Sequence, residues 1–82
     1  MQVQVMLFGP IADMLGSSTI AVDTPSAQPT ARTVLDTLGA QNPTVSDAVR
    51  ACRLAINHSF AHDDTVVGAD DEVALIGLVS GG

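Results

Sequence analysis

The chain contains no tryptophan, no tyrosine and no lysine, and it has one cysteine, Cys52, in 82 residues. A lone cysteine excludes an internal disulfide and fits a reducing compartment. Phe8 and Phe60 are the only aromatic residues, so the core has to be assembled from aliphatic side chains. With lysine absent, three arginines stand against nine acids and the net charge is −6. Nucleic-acid binding needs a cationic footprint that this composition does not supply, which excludes nucleic acid as a partner and disfavours anionic membrane surfaces. An acidic surface favours a basic partner, and it also serves ordinary solubility. No apolar run approaches the ~20 residues of a membrane span. The start, "MQVQVMLF", lacks the basic segment and cleavage site of a secretory signal. Together these absences lead to the expectation of a cytoplasmic protein.

What is present is the composition of one small domain spanning 1–82: 46% hydrophobic and 15% charged residues are globular proportions. Gln2 to Phe8 alternates, with Val3, Val5 and Leu7 on one side and Gln2, Gln4, Met6 and Phe8 on the other, which predicts a half-buried strand. "GPIADMLG" follows as a short helix, with Pro10 near its start and Gly16 as a left-handed stop. Ser18 to Val22 is a second short strand. "DTPSAQPT" is a loop, and Thr30 is the expected N-cap of a helix carrying Val34, Leu35 and Leu38, with Gly39 as its stop. "TVSDAVRAC" is a further helical stretch with Val45 and Val49 four apart and Arg50 suited to its C-terminus. Arg53 to Asn57 reads as a strand that "SFAH" pairs with, and Asp63 to Asp71 as an acidic loop and turn in which Gly68 is able to take a positive φ.

The last strand runs from Glu72 to Val79 and is apolar on both sides: Val73, Leu75 and Val79 on one, Ala74, Ile76 and Leu78 on the other. Such a strand is central, either covered twice or with one face reserved for a partner. The helices here are too few to cover both faces, which favours the partner. A right-handed crossover brings a late strand parallel beside the first. The expected fold is therefore α+β, a small mixed sheet with its first and last strands parallel and helices on one face.

Two glycines, Gly81 and Gly82, close the sequence behind that strand. A glycine pair at a terminus is ordinarily slack. Behind a two-sided apolar strand, the working reading is that residues 80–82 form a flexible, functional tail. "VQVMLFGPIADMLG", "AINHSF" and "DDEVALIGLVSGG" together resemble the family of small, sulfur-carrying subunits of molybdopterin synthase, the ThiS/MoaD-like carriers. The resemblance covers Val3 to Gly16 and Leu54 to Gly82, and Gly77-Leu78 stand where relatives commonly carry two prolines. It implies a β-grasp, ubiquitin-like fold and a protein that does no chemistry alone, but acts as sulfur donor within a sulfurtransferase. An E1-like adenylating enzyme would use ATP to activate the Gly82 carboxylate. A sulfur donor, such as a cysteine desulfurase or rhodanese, would leave a covalent thiocarboxylate at Gly82. The tail would then enter the large subunit of molybdopterin synthase, in a heterotetramer, and give sulfur to a cyclic pterin precursor during molybdenum cofactor biosynthesis. No bound cofactor is implied.

In that scheme Gly82 carries the chemistry and Gly81 gives the tail its freedom to thread a narrow tunnel. Ser80, Val79, Leu78, Ile76, Leu75, Phe60 and Phe8 would meet the partner. A tethered sulfur gains effective concentration at the acceptor site. The absence of lysine leaves no side-chain amine to capture an activated glycine. Two alternatives remain: the same carrier chemistry serving thiamin, cysteine or tRNA thiolation, and a non-catalytic β-grasp interaction module with an inert tail. His58 and His62, beside Asp63 and Asp64, lie on strand and turn rather than one helix face, so no metal site is expected. Cys52 has no neighbour in sequence to activate it and reads as buried filler. Asp70-Asp71-Glu72 lacks a calcium-loop pattern and reads as a solvated turn.

Overall fold

In the computed structural model, residues 1–77 are described. Five strands and three helices follow one another along them: β1 (Gln2–Met6), α1 (Gly9–Leu15), β2 (Thr19–Asp23), α2 (Ala31–Gln41), a 3₁₀ turn at Pro43–Val45, α3 (Ser46–Arg50), β3 (Cys52–Ile56), β4 (Ser59–Phe60) and β5 (Val73–Gly77). The sheet order is β2-β1-β5-β3-β4, with β1 and β5 parallel and every other neighbouring pair antiparallel. The expected mixed sheet is thus the observed one, and β5 occupies its centre.

Strand parity decides what goes inside. Val3 and Val5 of β1, Val22 of β2, Leu54 and Ile56 of β3, and Val73 and Leu75 of β5 all turn to one face and are buried. Ile11 of α1, Val34 and Leu38 of α2, and Val49 of α3 close that face from above, forming one aliphatic core with no aromatic member. β1 is shorter than the alternation suggested. Leu7 stays buried and its amide still bonds to Ser18 O at 2.8 Å, while Phe8 is extended backbone leading into α1.

Local signals set most of the boundaries. Gly16 ends α1 at φ 67°, and the N–H groups there return to Ala12 and Asp13. The Thr30 side chain accepts the Thr33 amide at 3.2 Å and opens α2 as an N-cap. One glycine expectation fails, and a second glycine leaves its freedom unused. Gly39 does not stop α2, because it is an interior helical residue packed against Ser46 and Val49; the helix runs to Gln41, and the Asn42 side chain closes it on Leu38 O at 2.9 Å. Gly68 is not among the positive-φ residues. Its turn is held instead by its amide donating to the Asp71 carboxylate at 2.7 Å. The β3–β4 hairpin turns on Asn57 and His58, both at positive φ (53° and 71°), the backbone a two-residue turn between twisted strands requires.

A candidate docking face on the open side of the sheet

All three helices of the described residues pack on one side, and among those residues nothing covers the other face of the sheet. Register places its side chains in rows. Met6 lies beside Ala74 across the parallel β1–β5 pair, Ala74 is opposite Ala55, and Ala55 is opposite Phe60. Ile76, two residues on from Ala74, is opposite Arg53. Met6, Phe8, Ala55, Phe60, Ala74 and Ile76 line an open groove of about 390 Å³, with His58 and Glu72 at its rim. Phe8 and Phe60 are each 58% exposed, so both aromatic rings of this chain lie on its surface rather than in its core. A surface that gathers both aromatics with a methionine and an isoleucine is a patch built to be covered.

The rim is fixed by a hydrogen-bonded knot. Asn57 N–H donates to Glu72 O at 2.8 Å, and Glu72 N–H donates to the Asn57 side-chain oxygen at 2.9 Å. The Asn57 side-chain amide in turn donates to Asp71 at 3.0 Å, and Asp71 also takes the Gly68 amide. Those two donors, the Gly68 backbone first and Asn57 second, hold the Asp71 carboxyl below the ordinary carboxylate range. His58 Nε2 reaches the Glu72 carboxylate at 2.7 Å, joining the hairpin tip to the start of β5. The knot ties the β3–β4 turn to the entry of the central strand and so sets how far Phe60 stands from Ile76.

Of the residues expected to meet a partner, Phe8, Phe60 and Ile76 come together in this groove. Leu75 does not. It is 2% exposed and faces Leu54 inside the core, because neighbours on a strand point to opposite faces and Ile76 takes the outward position. Leu78, Val79, Ser80, Gly81 and Gly82, and with them the expected tail, lie outside the described residues. Met6, Ala55, Ala74, His58 and Glu72 are additions. The outward parity of Met6 and Ala74 was visible in the alternation, whereas Ala55 and the His58–Glu72 contact come from pairing between strands and carry no local signal. Cys52 is buried with its Sγ on Ala48 O at 3.1 Å, and burial pushes its thiol pKa up. Among the described residues no group of three or more His, Cys, Asp or Glu side chains is placed to hold a metal, and no helix is long and apolar enough to cross a membrane.

A mixed sheet with β1 and β5 parallel and helices packed on one face defines a ubiquitin-like β-grasp protein. Within that class the chain belongs to the ThiS family, whose family model matches residues 5–82. In sequence it is 28% identical over 83 aligned residues to the molybdopterin synthase sulfur carrier subunit of Dictyostelium discoideum, covering 99% of this chain and 96% of that protein. In structure it is similar to SAMP1 of Haloferax volcanii, a small archaeal modifier protein, with TM-score 0.78, 27% identity and complete coverage of both chains. It is also similar to a chain in the complex of subunits 1 and 2 of the molybdopterin-converting factor from Helicobacter pylori, with TM-score 0.65 and both chains fully covered. At 20% identity the latter is a likeness of fold.

Proposed function

We propose that this chain is a sulfur carrier that serves molybdopterin synthesis. The observation that carries the reading is the match to the Dictyostelium carrier subunit over 99% of this chain, together with a family match that extends through residue 82. In this scheme the Gly82 carboxylate attacks ATP, pyrophosphate leaves, and the acyl adenylate gains a good leaving group. The terminal sulfur of a persulfide then displaces AMP to give an acyl disulfide. A thiol attacks the donor-side sulfur of that S–S bond, forming a disulfide with the donor and releasing the Gly82 thiocarboxylate; free hydrosulfide displaces AMP to the same product directly. The thiocarboxylate sulfur is the nucleophile delivered to the cyclic pterin precursor held by the large subunit.

The open sheet face supports this reading as a docking surface. Phe8 and Phe60 offer apolar anchors, and the net charge of −6 around them favours a basic partner. The test is reconstitution. The chain, an E1-like adenylating enzyme, ATP, a sulfide source, the large subunit and the precursor should together yield molybdopterin. Phe60→Asp should weaken docking on the large subunit without unfolding the domain, since that ring is exposed. Absence of product, with the same partners active on a known carrier, would count against the assignment.

The likeness to SAMP1, at 27% identity, favours a second reading in which the activated Gly82 is transferred to a protein amine. The same reconstitution separates the two, because transfer to protein gives conjugates of raised mass that persist after denaturation and reduction.

A further inference from the structure

We propose that Arg53 is a docking residue on the open sheet face, where it pairs with a carboxylate of the partner and so sets the direction in which the partner lies along the sheet. The inference deepens the carrier reading above and rests on it. In β3, Cys52, Leu54 and Ile56 are buried, while Arg53 is exposed and Ala55 half-buried. The pleat therefore turns Arg53 to the same side as Ala55, and register sets it opposite Ile76. Because β4 ends at Phe60, Arg53 stands at the margin of the sheet, and it also borders the hollow beneath α2 and α3.

Charge on this face is sorted along β5. Glu72, with His58 Nε2 on it at 2.7 Å, precedes the strand, and Asp23, opposite Gln2, lies at the same end of the sheet. Arg53 lies at the other end, four residues along β5 from Glu72, which is about 13 Å of extended chain. Met6, Ala55, Phe60 and Ala74 fill the apolar stretch between. Among the described residues no carboxylate lies within ion-pair distance of Arg53, although acids outnumber arginines nine to three.

A net charge of −6 favours a basic partner, and a uniformly basic surface would meet Arg53 with like charge. Docking over Phe8 and Ile76 also takes water from Arg53, and a desolvated charge without a counter-charge is costly. An Asp or Glu of the partner opposite Arg53 removes both penalties, since the guanidinium fork suits a carboxylate. A partner turned end for end on the same patch would set that carboxylate against Glu72 and its own cations against Arg53. The polarity thus rejects the reversed arrangement. Direction matters because β5 leads toward Gly82: Gly77 to Gly82 have a reach of up to about 20 Å, which the docked orientation aims.

The test is calorimetric titration of the large subunit of molybdopterin synthase with the intact chain, beside Arg53→Glu and Arg50→Glu. Both positions are exposed and both changes lower the net charge by two, but Arg50 ends α3 on the helix side. Long-range attraction to a basic partner would make both variants bind more tightly. Local pairing instead predicts that Arg53→Glu binds about tenfold more weakly, with Arg53→Gln between it and the parent, while Arg50→Glu binds as well as the parent or better. Replacing one surface Asp or Glu of the large subunit by lysine should then restore binding to Arg53→Glu. Equal affinities for Arg53→Glu and Arg50→Glu, or no such replacement restoring binding, would overturn the proposal and leave Arg53 a solubilising charge. A parent chain that fails to bind where a known carrier binds would overturn the carrier reading itself, and this inference with it.

Discussion

Leu75 and Ile76 are adjacent in sequence and serve different purposes, and alanine at each should separate stability from docking. Leu75 is 2% exposed and packs with Leu54 in the aliphatic core. Its truncation removes buried methyl groups and leaves a cavity that neighbouring valines fill poorly, at a cost of about 3 kcal/mol. A domain of this length has a total stability of about 4–12 kcal/mol, so Leu75→Ala should sit close to unfolding at ordinary temperatures. Ile76 is half-buried on the open face, and Ile76→Ala should cost about 1 kcal/mol or less. With a urea dependence of about 1 kcal/mol per molar, the Leu75→Ala midpoint should fall by roughly 2–3 M while that of Ile76→Ala stays within about 1 M of the parent. Circular dichroism is the suitable probe, since the chain has neither tryptophan nor tyrosine for fluorescence. Equal losses in the two variants, or a loss under about 1 kcal/mol for Leu75→Ala, would refute the assignment of faces.

Thr30→Ala removes the hydroxyl that accepts the Thr33 amide, and should destabilise the domain by about 1 kcal/mol. That is a drop of about 4–8 °C in a thermal melt, with Thr30→Asp close to the parent, and an unchanged melt for the alanine variant would mean the cap contributes nothing. Asp71 has a carboxyl pKa lowered by the Gly68 amide and then by Asn57. Its stabilisation is therefore complete above about pH 4, the ordinary carboxylate value in the unfolded chain, and is lost as pH falls through the lower folded value. Asp71→Ala should shift the acid-unfolding midpoint toward neutral pH, and a coincident acid limb would contradict the role given to its hydrogen bonds. Cys52, whose pKa is raised by burial, should react with iodoacetamide at about pH 8 more slowly than free cysteine, and reaction at the free rate would show the thiol to be open.

Elements specified by their own residues were the readable part of this fold. The period of two from Gln2 to Phe8 told Val3, Val5 and Leu7 from Met6 and Phe8, and burial follows it. Thr30 and Gly16 announced helix ends because a cap and a left-handed residue act within one turn. Gly39 misled for a related reason: glycine permits a positive φ without requiring it, and Gly39 stays helical while Gly68 leaves the same freedom unused. The positive φ at His58 had no sequence signal at all, being imposed by closure of the hairpin. The central position of β5 depends on contacts between the two ends of the chain; the two apolar sides of the strand, the handedness of crossovers and the family resemblance suggested it. The docking face was half legible. Phe8 and Ile76 have outward parity within their own strands, and the same parity, taken strictly, places Leu75 inward. Ala55, His58 and Glu72 join the face only once β3, β4 and β5 are in register.

Sulfur loading at Gly82 is the claim on which the functional reading stands, and intact-mass spectrometry tests it most directly. The chain would be incubated with an E1-like adenylating enzyme, ATP and a sulfide source, beside a variant lacking Gly82. A gain equal to replacing one oxygen with one sulfur, present in the full chain and absent from the variant, is the expected result. An unchanged mass, with the same enzyme loading a known carrier in parallel, would contradict the assignment of this chain as a sulfur carrier.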